Sequence, residues 1–274
     1  MEKAETIGGR VSVAYADNIA EVLLDRPEKL NALDPAMFQA LIEAGERLGR
    51  RKDVRAVVLH GAGRGFSSGL DRQSFASLAS GKRDGLLADL TQRTHGEANA
   101  PQRAVLVWRD LMVPVIAAIH GVAFGGGFQI ALGADLRYVA PDARLSILEI
   151  KWGLVPDMGG IALMRGLART DVVRELAFTG REFSGAEAVP YGFATAVHAD
   201  PLGAARETAR TIASKSPHAV RALKRLLNAS AGLDRGAILL AESKEQAALI
   251  GAPNQIEAIR SGLEKRPARF VDPD

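Results

Sequence analysis

The stretch His60–Asp71, "HGAGRGFSSGLD", decides how this chain is read. Inside it, Gly65-Phe66-Ser67-Ser68-Gly69 fits the G-x-S-x-G pattern of a serine nucleophile elbow. Such an elbow needs the serine on a sharp turn directly between a strand and a helix. Here the apolar strand "VRAVVLHG" ends near Leu59 and Gly61–Arg64 intervene, while "LDRQSF" beyond Gly69 is no apolar helix. A dinucleotide-binding reading also fails, because "GAGRGF" misses the third glycine of G-x-G-x-x-G by one position. The nucleophile match is therefore weak, and the alternative is that the glycines matter because they free backbone N–H groups.

A second junction has the same character. The strand "VPVIAAIHG" runs into "VAFGGGFQIALGAD", where Gly125–Gly127 open an apolar helix and direct free N–H groups at whatever lies ahead. Glycine lets the backbone approach closely, with no Cβ in the way. Two amides converging on one carbonyl oxygen form an oxyanion hole. Either junction alone reads equally well as a tight strand–helix turn.

Working outward, "RVSVAYAD" and "IAEVLLDRP" read as strands. "LDPAMFQALIEAGERLG" reads as a helix with Asp34 at the N-cap and Pro35 at the first helical position. Residues 72–111 are irregular in period, with helical fragments at "SFASLA" and "GLLADLTQ". "LRYVA" and "ARLSILE" are further short strands, and Ser184 is an expected N-cap. Strands cease near residue 200, after which three long amphipathic helices are expected. The alternation predicts an α/β core over 1–199 and a helical region over 200–274.

Composition removes several function classes. With no cysteine, there is no disulfide and no thiolate chemistry, which fits a reducing, cytoplasmic compartment. The five histidines show no metal-ligand spacing, so no metal is expected. Lys+Arg 35 against Asp+Glu 32 are interspersed, so nucleic acid is not an expected partner. No apolar run reaches the length of a membrane span, and "MEKAETIGGR" resembles no targeting peptide.

Taken together, the blocks carry more than any one of them. "LDRPEKLNALDPAMFQAL", "GRGFSSGLD", "IHGVAFGGGFQIALGADLR", "SILEIKWGLVPDMGG" and "EKRPARF" stand in the order found in the crotonase (enoyl-CoA hydratase/isomerase) family, which the chain resembles along nearly its whole length. The resemblance implies a spiral of ββα units with a helical C-terminal trimerisation region, as a homotrimer or dimer of trimers. It implies an acyl-CoA thioester substrate of the kind handled in fatty-acid β-oxidation. Coenzyme A is then part of the substrate, and no separate cofactor is needed. By resemblance, the N–H groups of Leu70 and Gly126 hold the thioester oxygen, and Lys29, Ala32, Ser68, Gly69, Asp71 and Gly125 contact coenzyme A or substrate.

The acid/base positions depart from the family's hydratases, which use two glutamates. Here the first position is Gln129 and the second is Glu149. A carboxamide does not titrate, so two-carboxylate activation of water is broken. Asp157 stands where hydratases have glycine and where dienoyl-CoA isomerases carry an acid, although those isomerases have Asp where this chain has Gln129. Asp157 reads either as an acid/base or as the cap of the helix at "MGGIALM". Glu149 reads as the base or as a strand-end carboxylate paired with Lys151 or an arginine, and Gln129 as a local hydrogen-bonding amide or an orienter of substrate or water. Isomerisation of an enoyl- or dienoyl-CoA is the favoured activity. The alternatives are an enoyl-CoA hydratase and a non-catalytic acyl-CoA-binding homologue. The family's dehalogenases lack an acid at the Glu149 position, which argues against their chemistry.

Overall fold

The structure, a computed structural model, describes residues 4–81, 85 and 88–273. The chain opens with β1 (Glu5–Ile7), β2 (Val11–Ala16) and β3 (Ile19–Leu24), then helix α1 (Pro35–Arg50) and strand β4 (Ala56–Gly61). Asp34 caps α1 as expected, accepting from Met37 N at 2.8 Å. Helices α2 (Arg72–Ala79) and α3 (Ala100–Asp110) precede β5 (Val115–Ile119) and β6 (Val122–Phe124). Next come α4 (Gly126–Leu132), β7 (Leu136–Val139), β8 (Arg144–Ser146) and a 3-10 turn at Glu149–Trp152. The sequence continues through α5 (Gly160–Met164), α6 (Thr170–Thr179), β9 (Phe183–Ser184), α7 (Gly185–Tyr191) and β10 (Ala196–Val197). Four helices finish the chain: α8 (Pro201–Ala213), α9 (Pro217–Ser230), α10 (Arg235–Leu249) and α11 (Pro253–Leu263). Three were expected there.

The strands form a seven-stranded sheet ordered β1-β2-β3-β4-β5-β7-β10 and a three-stranded sheet ordered β6-β8-β9. From β3 onward the larger sheet is parallel. Every residue of β4 and β5 is buried, as a parallel strand covered on both faces must be. Alternate residues divide between two cores. Val57, Leu59, Val115, Ala117 and Ile119 join the main core with α1 and α3, while Ala56, Val58, Ile116 and Ala118 pack under Ala205 and Ala209 of α8.

Two regions correct the sequence reading. Residues 100–110, taken as irregular, form α3. Asn99 and Gln102 make a reciprocal capping box there, and Trp108 is fully buried. The helix expected at Gly85–Gln92 falls partly on residues 86–87, which lie outside the described residues. Its described end is a turn instead. The Asp89 carboxylate accepts from Thr91 N at 2.9 Å and Thr91 Oγ1 at 2.6 Å, a local bond that competes with helix. Ser184 does cap α7, in a capping box with Glu187.

Successive turns of chain lie over one another at the end of the sheets where the glycine-rich stretches sit. Leu33 bridges to Leu70 and Ser67 bridges to Ala123, both in parallel sense. Gly125 N donates to Ser146 O at 3.0 Å, adding the next layer. This layering is the spiral the resemblance implies. Farther along, the buried Lys224 ammonium anchors α9 to the core through Asp135 (2.6 Å) and Val113 O (2.9 Å). Helix α10 buries no residue. No helix among the described residues is long and apolar enough to cross a membrane.

Candidate active site

The loop from Gly65 to Asp71 is fixed by a side chain from the opening block. Asn31 is fully buried, and its Nδ2 donates to Ala62 O (2.9 Å), Gly65 O (2.9 Å) and Phe66 O (3.2 Å). Ser67 is fully buried too; its Oγ donates to Asn31 O at 2.8 Å and accepts from Gly69 N at 3.3 Å. Ser67 braces the loop and does not face the cavity beside it, so the hydrolase reading has no geometric support.

Gly69 is required where it stands. Its φ is +83°, and a Cβ there would lie 2.6 Å from Phe124 O and 3.5 Å from Gly126 N. The two glycine-rich junctions therefore touch. Among the described residues neither Leu70 N–H nor Gly126 N–H donates to a protein acceptor.

Both junctions open on a cavity of about 500 Å³. Of the residues singled out in the sequence, Ser68, Gly69, Leu70, Gly125, Gly126, Gln129, Glu149 and Asp157 line it. Lys29, Ala32 and Asp71 do not. Lys29 is exposed at the end of a 3-10 turn, adjoining the cavity rim through Ser68, whose Oγ reaches Lys29 O at 3.4 Å. Ala32 is 6% exposed, and its carbonyl accepts from Arg26 at 3.2 Å. Asp71 is committed to the scaffold: its carboxylate pairs with Arg26 Nη1 at 2.7 Å and caps α2 through Gln73 N at 2.8 Å. The arginine partner explains the buried acid there without a ligand.

Glu149 and Asp157 share the cavity from opposite ends of one loop. Glu149 has no ion pair among the described residues, so pairing with Lys151 or an arginine is overturned. Lys151 Nζ instead lies over the Trp152 ring, 5.5 Å from its centroid. Glu149 Oε1 accepts from Gln129 Nε2 at 2.6 Å, whereas Oε2 is buried with no partner among the described residues. Gly125, at φ +50°, makes room for this carboxyl, since a Cβ there would sit 3.4 Å from Oε1. Burial pushes Glu149 above the ordinary carboxylate range, and the charge of Asp157 pushes it further against the lowering hydrogen bonds. Burial raises Asp157 as well. Asp157 is not a helix cap: Gly159 holds that position for α5, and Gly160 N donates to Gln129 Oε1 instead.

Gln129, 1% exposed, does more than bond locally. Its Oε1 accepts from Met158 N and Gly160 N, both at 3.0 Å, so one amide spans α4, the Glu149 turn and the segment after Asp157.

Apart from Asp89 and Thr91, the remaining walls are apolar, and they were not anticipated. Phe38, Phe75, Phe124, Trp152 and Met158 line the cavity, and Phe75 meets Trp152 with ring centroids 4.5 Å apart. Trp152 lies three residues after Glu149 in the same turn, the one sequence signal that could have found it. Beside walls this apolar, amide donors and acids act more strongly on a bound group than they would in solvent.

Residues 14–273 match the enoyl-CoA hydratase/isomerase family, and the chain belongs to it. A mouse mitochondrial Delta(3,5)-Delta(2,4)-dienoyl-CoA isomerase is 31% identical over 258 residues, covering 93% of this chain and 79% of that one. A probable enoyl-CoA hydratase of Bacillus subtilis is 28% identical over 263 residues, covering 95% of this chain and 98% of its own. Among solved structures, a putative enoyl-CoA hydratase from Streptomyces coelicolor A3(2) matches with a TM-score of 0.87 at 31% identity, covering 99% of this chain and 98% of that one. The cavity therefore belongs to a chain of the enoyl-CoA hydratase/isomerase family.

Proposed function

We propose that this protein is a proton-shuttling isomerase of unsaturated acyl-CoA, with a 3,5-dienoyl-CoA as the preferred substrate class. The observation that carries the reading is the pair of half-buried acids, Glu149 and Asp157, lining one cavity with no ion pair among the described residues, beside the unpaired amides of Leu70 and Gly126. In a 3,5-dienoyl thioester, a C2–H bond breaks and its electron pair spreads over the diene and the thioester oxygen, where the two amides receive it. A C6–H bond then forms. One proton leaves and one arrives, so the reaction needs one ionised acid, one protonated acid and no cofactor beyond the coenzyme A of the substrate. Two acids that oppose each other's ionisation favour that mixed state. The identity with a dienoyl-CoA isomerase supports the assignment.

Hydration is the second reading, favoured by the names of several relatives. Against it stands Gln129, which cannot titrate and whose oxygen is taken up by two backbone N–H groups. Turnover of 2-enoyl-, 3-enoyl- and 3,5-dienoyl-CoA decides between them. Isomerisation is expected to exceed hydration. Faster hydration of the 2-enoyl ester than isomerisation of both others would make the protein a hydratase, and binding of all three without turnover would make it a non-catalytic homologue.

We further propose that the enzyme works as a homotrimer or dimer of trimers. Leu239 and Leu240 on α10, and Ile256, Ile259 and Leu263 on α11, are exposed apolar side chains that a second subunit could cover. Light scattering that returned a monomer mass would remove this assignment.

A further inference from the structure

We infer that Gln129 is the positioning residue for the base: it ties down Glu149 Oε1 and leaves Oε2 as the oxygen that carries the proton. This deepens the isomerase reading and rests on Glu149 being a base. Three bonds fix the amide. Its oxygen faces two N–H donors, Met158 and Gly160, so the opposite flip would set an NH2 group against them. The NH2 group is thereby aimed at Glu149 Oε1, 2.6 Å away. Oε2 alone is buried without a partner among the described residues, so the proton-accepting lone pairs are held at one point in space.

The tether also joins the two acids. The amide that orients Glu149 holds Met158 N, the peptide next to Asp157, so the spacing between the acids is set through one side chain. The charges facing Glu149 are few. Asp157 is the titratable group whose charge acts on it, Lys151 is turned onto the Trp152 ring, and Asp89 lines the same cavity in its Thr91 turn.

A carboxylate at position 129 reverses this arrangement. One of its oxygens keeps the bonds to Met158 and Gly160, and the other faces Glu149 Oε1 across the distance now spanned by N–H···O. Two ionised oxygens cannot sit so close, so the pair retains one proton between them. Glu149 is then blocked as a base until that proton leaves.

The test is the pH profile of kcat and KM for 3,5-dienoyl-CoA in the wild type, Gln129→Glu, Gln129→Met and Glu149→Gln. In Gln129→Glu, which keeps both backbone bonds, the acidic limb of kcat moves up by about one pH unit or more. KM barely changes, and activity returns at high pH. In Gln129→Met the tether is gone, and kcat falls on the order of 100-fold from misplacement of the base. Circular dichroism checks its folding; the glutamate variant carries the test if methionine does not fold. A Gln129→Glu profile that superimposes on the wild type overturns the tether. Should Glu149→Gln itself retain wild-type turnover, the base assignment beneath it falls instead, so the two failures are distinguishable.

Discussion

Glu149 and Asp157 stand eight positions apart on one loop and are held in opposite ways. Glu149 is fastened at one oxygen by Gln129. The Asp157 carboxylate has no side-chain partner or cap role among the described residues. Yet burial raises the proton affinity of both. The contrast separates two requirements of a proton shuttle. A group that breaks a C–H bond must be aimed, because misplacement by an ångström is expensive in rate. A group that returns a proton to the far end of a mobile chain needs the right proton affinity more than a fixed angle.

Removing the aimed acid is expected to have the largest effect. Glu149→Gln keeps the shape and can still accept from Gln129, but it cannot take a proton. Turnover of every unsaturated acyl-CoA should fall about 100- to 10,000-fold or more, with CoA-ester binding retained by calorimetry. Next in size is Gly126→Pro, which deletes one of the two unpaired amides proposed to receive the thioester oxygen. About 100- to 1,000-fold loss of kcat is expected in protein shown to be folded, the usual cost of losing one oxyanion-hole donor. A folded variant with unchanged turnover would remove Gly126 from the site.

A smaller effect should appear in stability. Below the ordinary carboxylate range both acids are protonated, folded or unfolded, and burying them costs little. As pH rises through that range the unfolded chain ionises freely, whereas the folded chain ionises only against the burial that raised both groups, so stability is lost through this window. Asp157→Asn should therefore raise the melting temperature at neutral pH, with the gain shrinking as pH falls below about 4. Equal melting curves at both pH values would show that Asp157 carries no burial penalty. The smallest catalytic effect is expected at Ser67→Ala. It leaves Asn31 O and Gly69 N without their hydroxyl partner and costs about 1–3 kcal/mol of stability, with activity within a few fold. Covalent labelling of Ser67 by a fluorophosphonate, with loss of activity, would contradict this.

The legible parts of the chain were those written locally. Asp34-Pro35 and the Ser184–Glu187 box mark helix starts that the structure contains. The Asn99–Gln102 box is the same kind of signal, and α3 could have been read from it. The two glycine junctions were readable as backbone sites because φ and close approach are properties of glycine itself. Long-range pairing was not readable. That Gln129 would bridge Glu149, Met158 and Gly160 depends on how α4 meets a loop far along the chain. That Asp71 would be neutralised by Arg26 depends on the stacking of two turns of the spiral. No local pattern encodes either contact.

The central claim is that two acids with different tasks share one cavity, and Asp157→Asn assayed on two substrates tests it most directly. With 3,5-dienoyl-CoA, where protons leave and arrive at distant carbons, kcat is expected to fall about 100- to 10,000-fold. With 3-enoyl-CoA, where Glu149 alone can take and return one proton, the change is expected to stay within a few fold. Equal losses on both substrates, or no loss on the dienoyl ester, would contradict the account.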